Sequence, residues 1–137
     1  IVESEKTAVI MSEISDHPKD YPSNSSNWSE SPIKPEPKAT CWLASGGLTA
    51  LTPQMFLPLK GRKIILFPDT DPNQEAYNLW KRVALKAEEL IQTPIYVSDI
   101  LERLATPTQK ERKIDVADLI DNGQRTTDNG LSPLAPV

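Results

Sequence analysis

The sequence predicts an α/β fold, a parallel four-stranded sheet with helices on both faces. Three observations predict it. Short apolar runs at residues 1–2, 41–45, 64–67 and 95–97 alternate with stretches whose apolar residues recur at three- and four-residue spacing. Alternation of strand and helix implies parallel strands joined by crossover helices. Carboxylates fall at the junctions between these elements: Glu3, the pair Asp69 and Asp71, and the pair Asp115 and Asp118. In open parallel sheets such junctions are where ligands bind.

The central strand is Ile64-Ile65-Leu66-Phe67, an apolar run of the kind buried on both faces. Pro68 ends it, because proline cannot donate to a sheet ladder. Asp69 and Asp71 follow, and two carboxylates two residues apart can converge on a hard cation, Mg²⁺ or Mn²⁺. The alternative is structural. Asp71 before Pro72, with Gln74 three residues on, forms a capping box with proline at the first helical position, and Asp69 is then a turn residue.

Taken from the start, Ile1 and Val2 end a strand. Ser4 caps a helix with Glu5 in its first turn and Ala8, Val9, Met11 and Ile14 on its apolar side. Residues 15–40 carry five prolines among Ser, Asn and charged side chains, and read as an insertion. Tyr21, Trp28 and Ile33 are its large apolar groups. The second strand, 41–45, ends at Gly46-Gly47. Paired glycines there serve either as a tight turn or as a close backbone approach to a ligand.

Thr52-Pro53 opens a short helix with Met55, Phe56 and Leu59 toward the core, and the basic turn Lys60, Arg62, Lys63 precedes the central strand. From 72 to 91 one apolar stripe runs through Ala76, Leu79, Trp80, Val83, Ala84, Ala87, Leu90 and Ile91. A fourth strand at 95–97, a short helix holding Ile100, Leu101 and Leu104, a polar connector at 106–113 and a short helical face of Val116, Leu119 and Ile120 follow. Asp115 stands as the cap of that last face. Residues 1–121 thus form one domain, and 122–137 a tail.

A chain of 137 residues is long enough to bury a core. A net charge of −4 argues against a general polyanion-binding surface while leaving room for a local basic patch. The single cysteine, Cys41, excludes an internal disulfide and a cysteine-rich zinc site and fits a reducing, cytoplasmic setting. Its structural role would be that of a small apolar residue at a strand start. The single histidine, His17, lies in the proline- and serine-rich stretch and is a poor partner for a nucleophile. No run spans a membrane. The first residue is Ile, inside a strand already under way, so the chain is expected to be a piece of a longer protein.

In this order the motifs resemble a Toprim domain, the metal-binding α/β module of type IA and type II topoisomerases, bacterial primases and related nucleases. Ile1-Val2-Glu3-Ser4 matches its strand ending in Glu. Ser45-Gly46-Gly47-Leu48-Thr49 resembles its glycine turn, and residues 64–71 its strand ending in Asp-x-Asp. Lys113-Ile114-Asp115-Val116-Ala117-Asp118-Leu119 is similar to the downstream Lys-Asp-x-x-Asp-Leu of primase-type domains, with one residue inserted.

The resemblance covers 1–14 and 41–121 and is nearest to primase-related proteins of bacterial mobile elements and plasmids. Three features depart from the pattern, and the insertion at 15–40 is one of them. Thr7 stands where primases carry an Asp, and Pro72-Asn73-Gln74-Glu75 replaces the usual Gly.

The resemblance implies a Rossmann-like fold and Mg²⁺ or Mn²⁺ held by Glu3, Asp69 and Asp71, with Asp115 or Asp118 helping. It implies Glu3 as metal ligand or general acid/base, and phosphate contacts from Lys6, Gly46 and Gly47. The implied partners are DNA or RNA and other domains of a parent protein, a helicase or a zinc-binding primase domain. The implied activity is primase-type nucleotidyl transfer. A degenerate, non-catalytic interaction module and a nuclease are the alternatives.

Overall fold

A computed structural model describes residues 1–16 and 40–128. His17, the aromatic residues of the expected insertion and the end of the expected tail lie outside the described residues.

The expected four-stranded parallel sheet does not form. A two-stranded parallel sheet joins β1 (Ile64–Leu66) to β2 (Ile95–Val97), in the register Ile64–Ile95, Ile65–Tyr96, Leu66–Val97. The two other apolar runs meet at an isolated parallel bridge, Val2 to Ala44. The Val2 amide donates to the Leu43 carbonyl and the Ser45 amide to the Val2 carbonyl, both at 2.9 Å. Residue 1 reaches β1 through its nitrogen on the Ile65 carbonyl at 2.7 Å and through the Phe67 amide on its own carbonyl at 2.8 Å.

The physical reason for the missing ladder is length. Ser4 starts helix α1 (Glu5–Asp16) almost at once, and the Gly46 amide turns back to the Glu3 carbonyl at 2.9 Å. Neither extended segment is long enough to lay down a strand of the usual length.

Ser4 caps α1 as the sequence predicts, with its Oγ accepting from the Thr7 amide at 3.2 Å. Residues Pro53–Leu59 form a 3₁₀ helix that buries Phe56 and leaves Met55 exposed, contrary to the expected facing. Helix α2 (Glu75–Ile91) starts three residues later than predicted, because Gln74 adopts a left-handed conformation at φ 56°. Its stripe holds: Ala76, Trp80, Ala84, Ala87 and Ile91 are buried, while Leu90 is exposed. Trp80, Ala84, Ala87 and Ile91 pack with Phe56, Ile64 and Leu66 into one core cluster.

Helix α3 (Ile100–Leu104) was expected; α4 (Pro107–Glu111), inside the polar connector, was not. Thr106 and Gln109 cap α4 reciprocally, each side chain taking the other's amide, with Pro107 at the first position. Helix α5 (Val116–Asp128) runs into the region read as a tail. A helix once nucleated adds turns without an apolar stripe. A second core cluster gathers Val2, Ala8, Met11, Leu101, Ile114 and Val116, and so joins α1, α3 and α5 around the first chain segment. Cys41 is exposed rather than packed. No helix among the described residues is long and apolar enough to cross a membrane.

Candidate acidic site

Two chain segments far apart in sequence place the first pair of acids. Backbone hydrogen bonds of residues 1 and 2 set Glu3 beside the end of β1, and Pro68 releases the chain there. The Asp69 amide donates to Glu3 Oε2 at 3.1 Å. Partial burial pushes the Asp69 carboxyl up, and the negative charges of Glu3, Asp115 and Asp118 push it further, to about 8. Burial likewise raises Glu3. The Asp69 amide and side chain and the Lys113 ammonium pull it back, whereas Asp71 adds to the rise. At neutral pH the pair therefore holds a proton on Asp69.

Asp71 lies close by and is used differently. Its Oδ1 accepts the amides of Asn73 and Glu75, both at 2.9 Å, and its Oδ2 accepts that of Ala76 at 3.0 Å. Burial alone would raise its carboxyl. The three amides and Lys113 outweigh that and hold it below the usual carboxylate range. Asp71 is thus the side chain that closes the N-terminus of α2, reaching across the turn at 72–74.

Asp115 and Asp118 cap α5 on each other. The Asp118 amide donates to Asp115 Oδ1 at 2.9 Å and the Asp115 amide to Asp118 Oδ2 at 3.2 Å. The second Asp115 oxygen accepts the hydroxyl of Thr7, which is itself buried against Ser4. The position where the primase pattern has an acid is therefore taken by a donor to one.

The expected phosphate contacts fare unequally. The Gly46 amide is committed to the Glu3 carbonyl at 2.9 Å, and the Gly47 amide faces Ser45 Oγ at 3.4 Å. Gly46 and Gly47 have φ 88° and 141°, so this turn needs glycine. Lys6 is exposed and lines a cleft of about 350 Å³ between α1 and α5, together with Asp118. Among the described residues, no group of three or more His, Cys, Asp or Glu side chains has the arrangement of a metal centre.

Thr70, Glu102 and Lys110 are not picked out from the sequence, and Lys113 only as the head of a motif. Thr70, wholly buried between the two aspartates, donates its amide to the Ile114 carbonyl at 3.1 Å and its hydroxyl to Glu102 Oε1 at 3.0 Å. Lys110 Nζ lies 3.7 Å from Glu102 Oε2. Lys113, left-handed at φ 53°, puts its charge near Glu3 and Asp71. These pairings join segments far apart in the chain, and no local pattern announces them. The one available signal was Lys113 heading the Lys-Ile-Asp motif.

Over residues 1–70 the chain matches the profile of a family described as a domain of unknown function. The match takes in Glu3, Gly46, Gly47 and Asp69. No curated protein and no solved structure matches the chain. The matched segment spans just over half of the 137 residues, and the chain belongs to the DUF6371 family.

Proposed function

We propose that the Glu3–Asp69 pair is the cation-binding part of a Mg²⁺-dependent nucleic-acid-processing domain, primase-like in its motif order. The observation that carries this reading is the bond from the Asp69 amide to Glu3 Oε2. It sets two carboxyl groups side by side with more negative charge than neutral pH sustains.

An all-protein cage for Mg²⁺ does not fit, because Asp71 gives its oxygens to three amides. Mg²⁺ is commonly held by one or two carboxylates, with waters and substrate phosphate completing the shell. Glu3 and Asp69 fit that mode. The proton on Asp69 is what a cation would displace.

When bound, the ion supplies charge neutralisation at the attacked phosphate. The chain's own residues do the rest. Asp69 holds or releases a proton against Glu3. Asp71 fixes the turn that presents Asp69. Lys113 adds a positive charge beside Glu3 and Asp71. The negative charges of Asp115 and Asp118 act on Asp69 and raise the demand for a cation.

The test is Mn²⁺ binding by electron paramagnetic resonance, with and without a single-stranded oligonucleotide. Binding should strengthen as pH rises through about 8, where Asp69 loses its proton. Asp69→Asn and Glu3→Gln should each weaken it by roughly 10-fold or more. If wild-type protein binds no Mn²⁺ at pH 8.5 with oligonucleotide present, the reading fails.

A second reading, a non-catalytic nucleic-acid or protein interaction module, draws on specific observations. Asp71 is engaged by amides, and Thr7 occupies the place of an acid. Oligonucleotide binding that is indifferent to Mn²⁺ and to Asp69→Asn would select it.

A further inference from the structure

The side chain of Glu102 is 9% exposed, and its Oε2 is buried without a hydrogen-bond partner, facing Lys110 Nζ at 3.7 Å. A carboxylate in such a place is costly unless it is paired and bonded. An apolar side chain at 102 would avoid that cost. A glutamate adds two things that a leucine lacks: an acceptor for Thr70 and a countercharge for Lys110.

Both connections lead to the acidic site. Glu102 Oε1 takes the hydroxyl of Thr70, the residue between Asp69 and Asp71, whose amide is tied to the Ile114 carbonyl. Glu102 Oε2 faces Lys110 of α4. The end of α4 runs into Asp115 through the Lys113 amide on the Lys110 carbonyl at 3.0 Å and the Ile114 amide on the Gln109 carbonyl at 3.3 Å. One buried side chain thus touches the turn that carries Asp69 and the helix that leads to Asp115. These are the acids whose separation sets the charge at the site.

We propose that Glu102 is a positioning residue that holds the Asp69 turn through the Thr70 hydroxyl and the approach to Asp115 through Lys110. Its consequence for cation binding rests on the reading of Glu3 and Asp69 given above. The hydrogen-bonding part stands without it.

Amide hydrogen exchange on the full chain decides the matter, with Mn²⁺ affinity as the second readout. Glu102→Ala and Thr70→Val should each speed exchange of the Asp69 and Thr70 amides by roughly 10-fold, while the amides of β2 stay as they are. At these two amides the double variant should be no worse than Glu102→Ala alone, since that substitution already removes the bond to Thr70. Glu102→Gln keeps an acceptor oxygen for Thr70 and should stay within roughly 3-fold of wild type in exchange. Mn²⁺ affinity should fall by about 10-fold in Glu102→Ala and Thr70→Val.

Unchanged exchange at Asp69 and Thr70 in both variants would overturn the proposal. So would additive losses, or a Glu102→Gln variant as damaged as Glu102→Ala. If Glu102→Ala does not fold, Thr70→Val and Glu102→Gln still decide. A wild-type protein that binds no Mn²⁺ would remove the cation reading alone, and the exchange result would still judge the positioning role.

Discussion

Asp71 meets three backbone amides with two oxygens, and that arithmetic decides what a substitution does. Asparagine is a good cap where one oxygen suffices. Here Oδ1 serves Asn73 and Glu75 while Oδ2 serves Ala76, so Asp71→Asn turns an amide group toward an N–H donor whichever way it flips. We expect Asp71→Asn to destabilise the protein by about 1–2 kcal/mol in urea denaturation. A variant as stable as wild type would mean that the Ala76 bond contributes nothing. The aspartate as a cap was legible from Asp-Pro followed by Gln. The start of the helix was not, because the left-handed Gln74 delays α2 to Glu75. Nor did the sequence show that the cap would occupy both oxygens of the most obvious metal ligand. Side-chain reach across a turn is a matter of coordinates, and spacing alone favours the cap without excluding the ligand.

Among the elements, α2 gives the first core more residues than any other, and Trp80 is the largest of them. The indole is wholly buried, and its Nε1 donates to the Leu48 carbonyl at 3.0 Å. That bond fastens α2 to the chain just after the glycine turn. Trp80→Phe removes the donor, leaves a carbonyl unbonded and opens space, so a loss of about 2 kcal/mol is expected. Thermal unfolding measures it, and a loss below about 0.5 kcal/mol would show that the carbonyl finds another partner. The apolar stripe made this helix legible, since its period is imposed by a one-sided core.

Short elements were less so. The 3₁₀ geometry at Pro53–Leu59 turns Met55 outward, which a 3.6-residue period does not foresee. Helix α4 hides in a polar connector whose signal, Thr106-Pro107-Thr108-Gln109, is a capping box without an apolar face. The four apolar runs implied four strands, but two of them end in turns before a ladder begins.

At the scale of the molecule, the acids set how stability changes with pH. Asp69 has its carboxyl raised from 3.8 to about 8 by burial and by the charges of Glu3, Asp115 and Asp118. Between those values the folded chain keeps a proton that the unfolded chain has lost, so stability falls as pH rises. Glu3, also raised, acts in the same sense. Asp71 is lowered by its amides and acts oppositely: its contribution is lost as pH falls below the ordinary carboxylate value. Stability should therefore peak near pH 4–5 and decline toward pH 8.

One full proton would give ~1.4 kcal/mol per pH unit. Asp69 is partly open to water, so a total decline of about 2 kcal/mol is expected. Asp69→Asn should flatten the decline and make the variant more stable than wild type at pH 8.5. A wild-type midpoint that rises from pH 5 to 8 would contradict this assignment. The same curve tests function. A cation that replaces the proton stabilises the folded state by mass action. Mn²⁺ should thus restore wild-type stability at pH 8.5 and leave Asp69→Asn unmoved. Restoration in both would place the ion elsewhere, and restoration in neither would leave the carboxyl pair as a proton-holding feature of the fold alone.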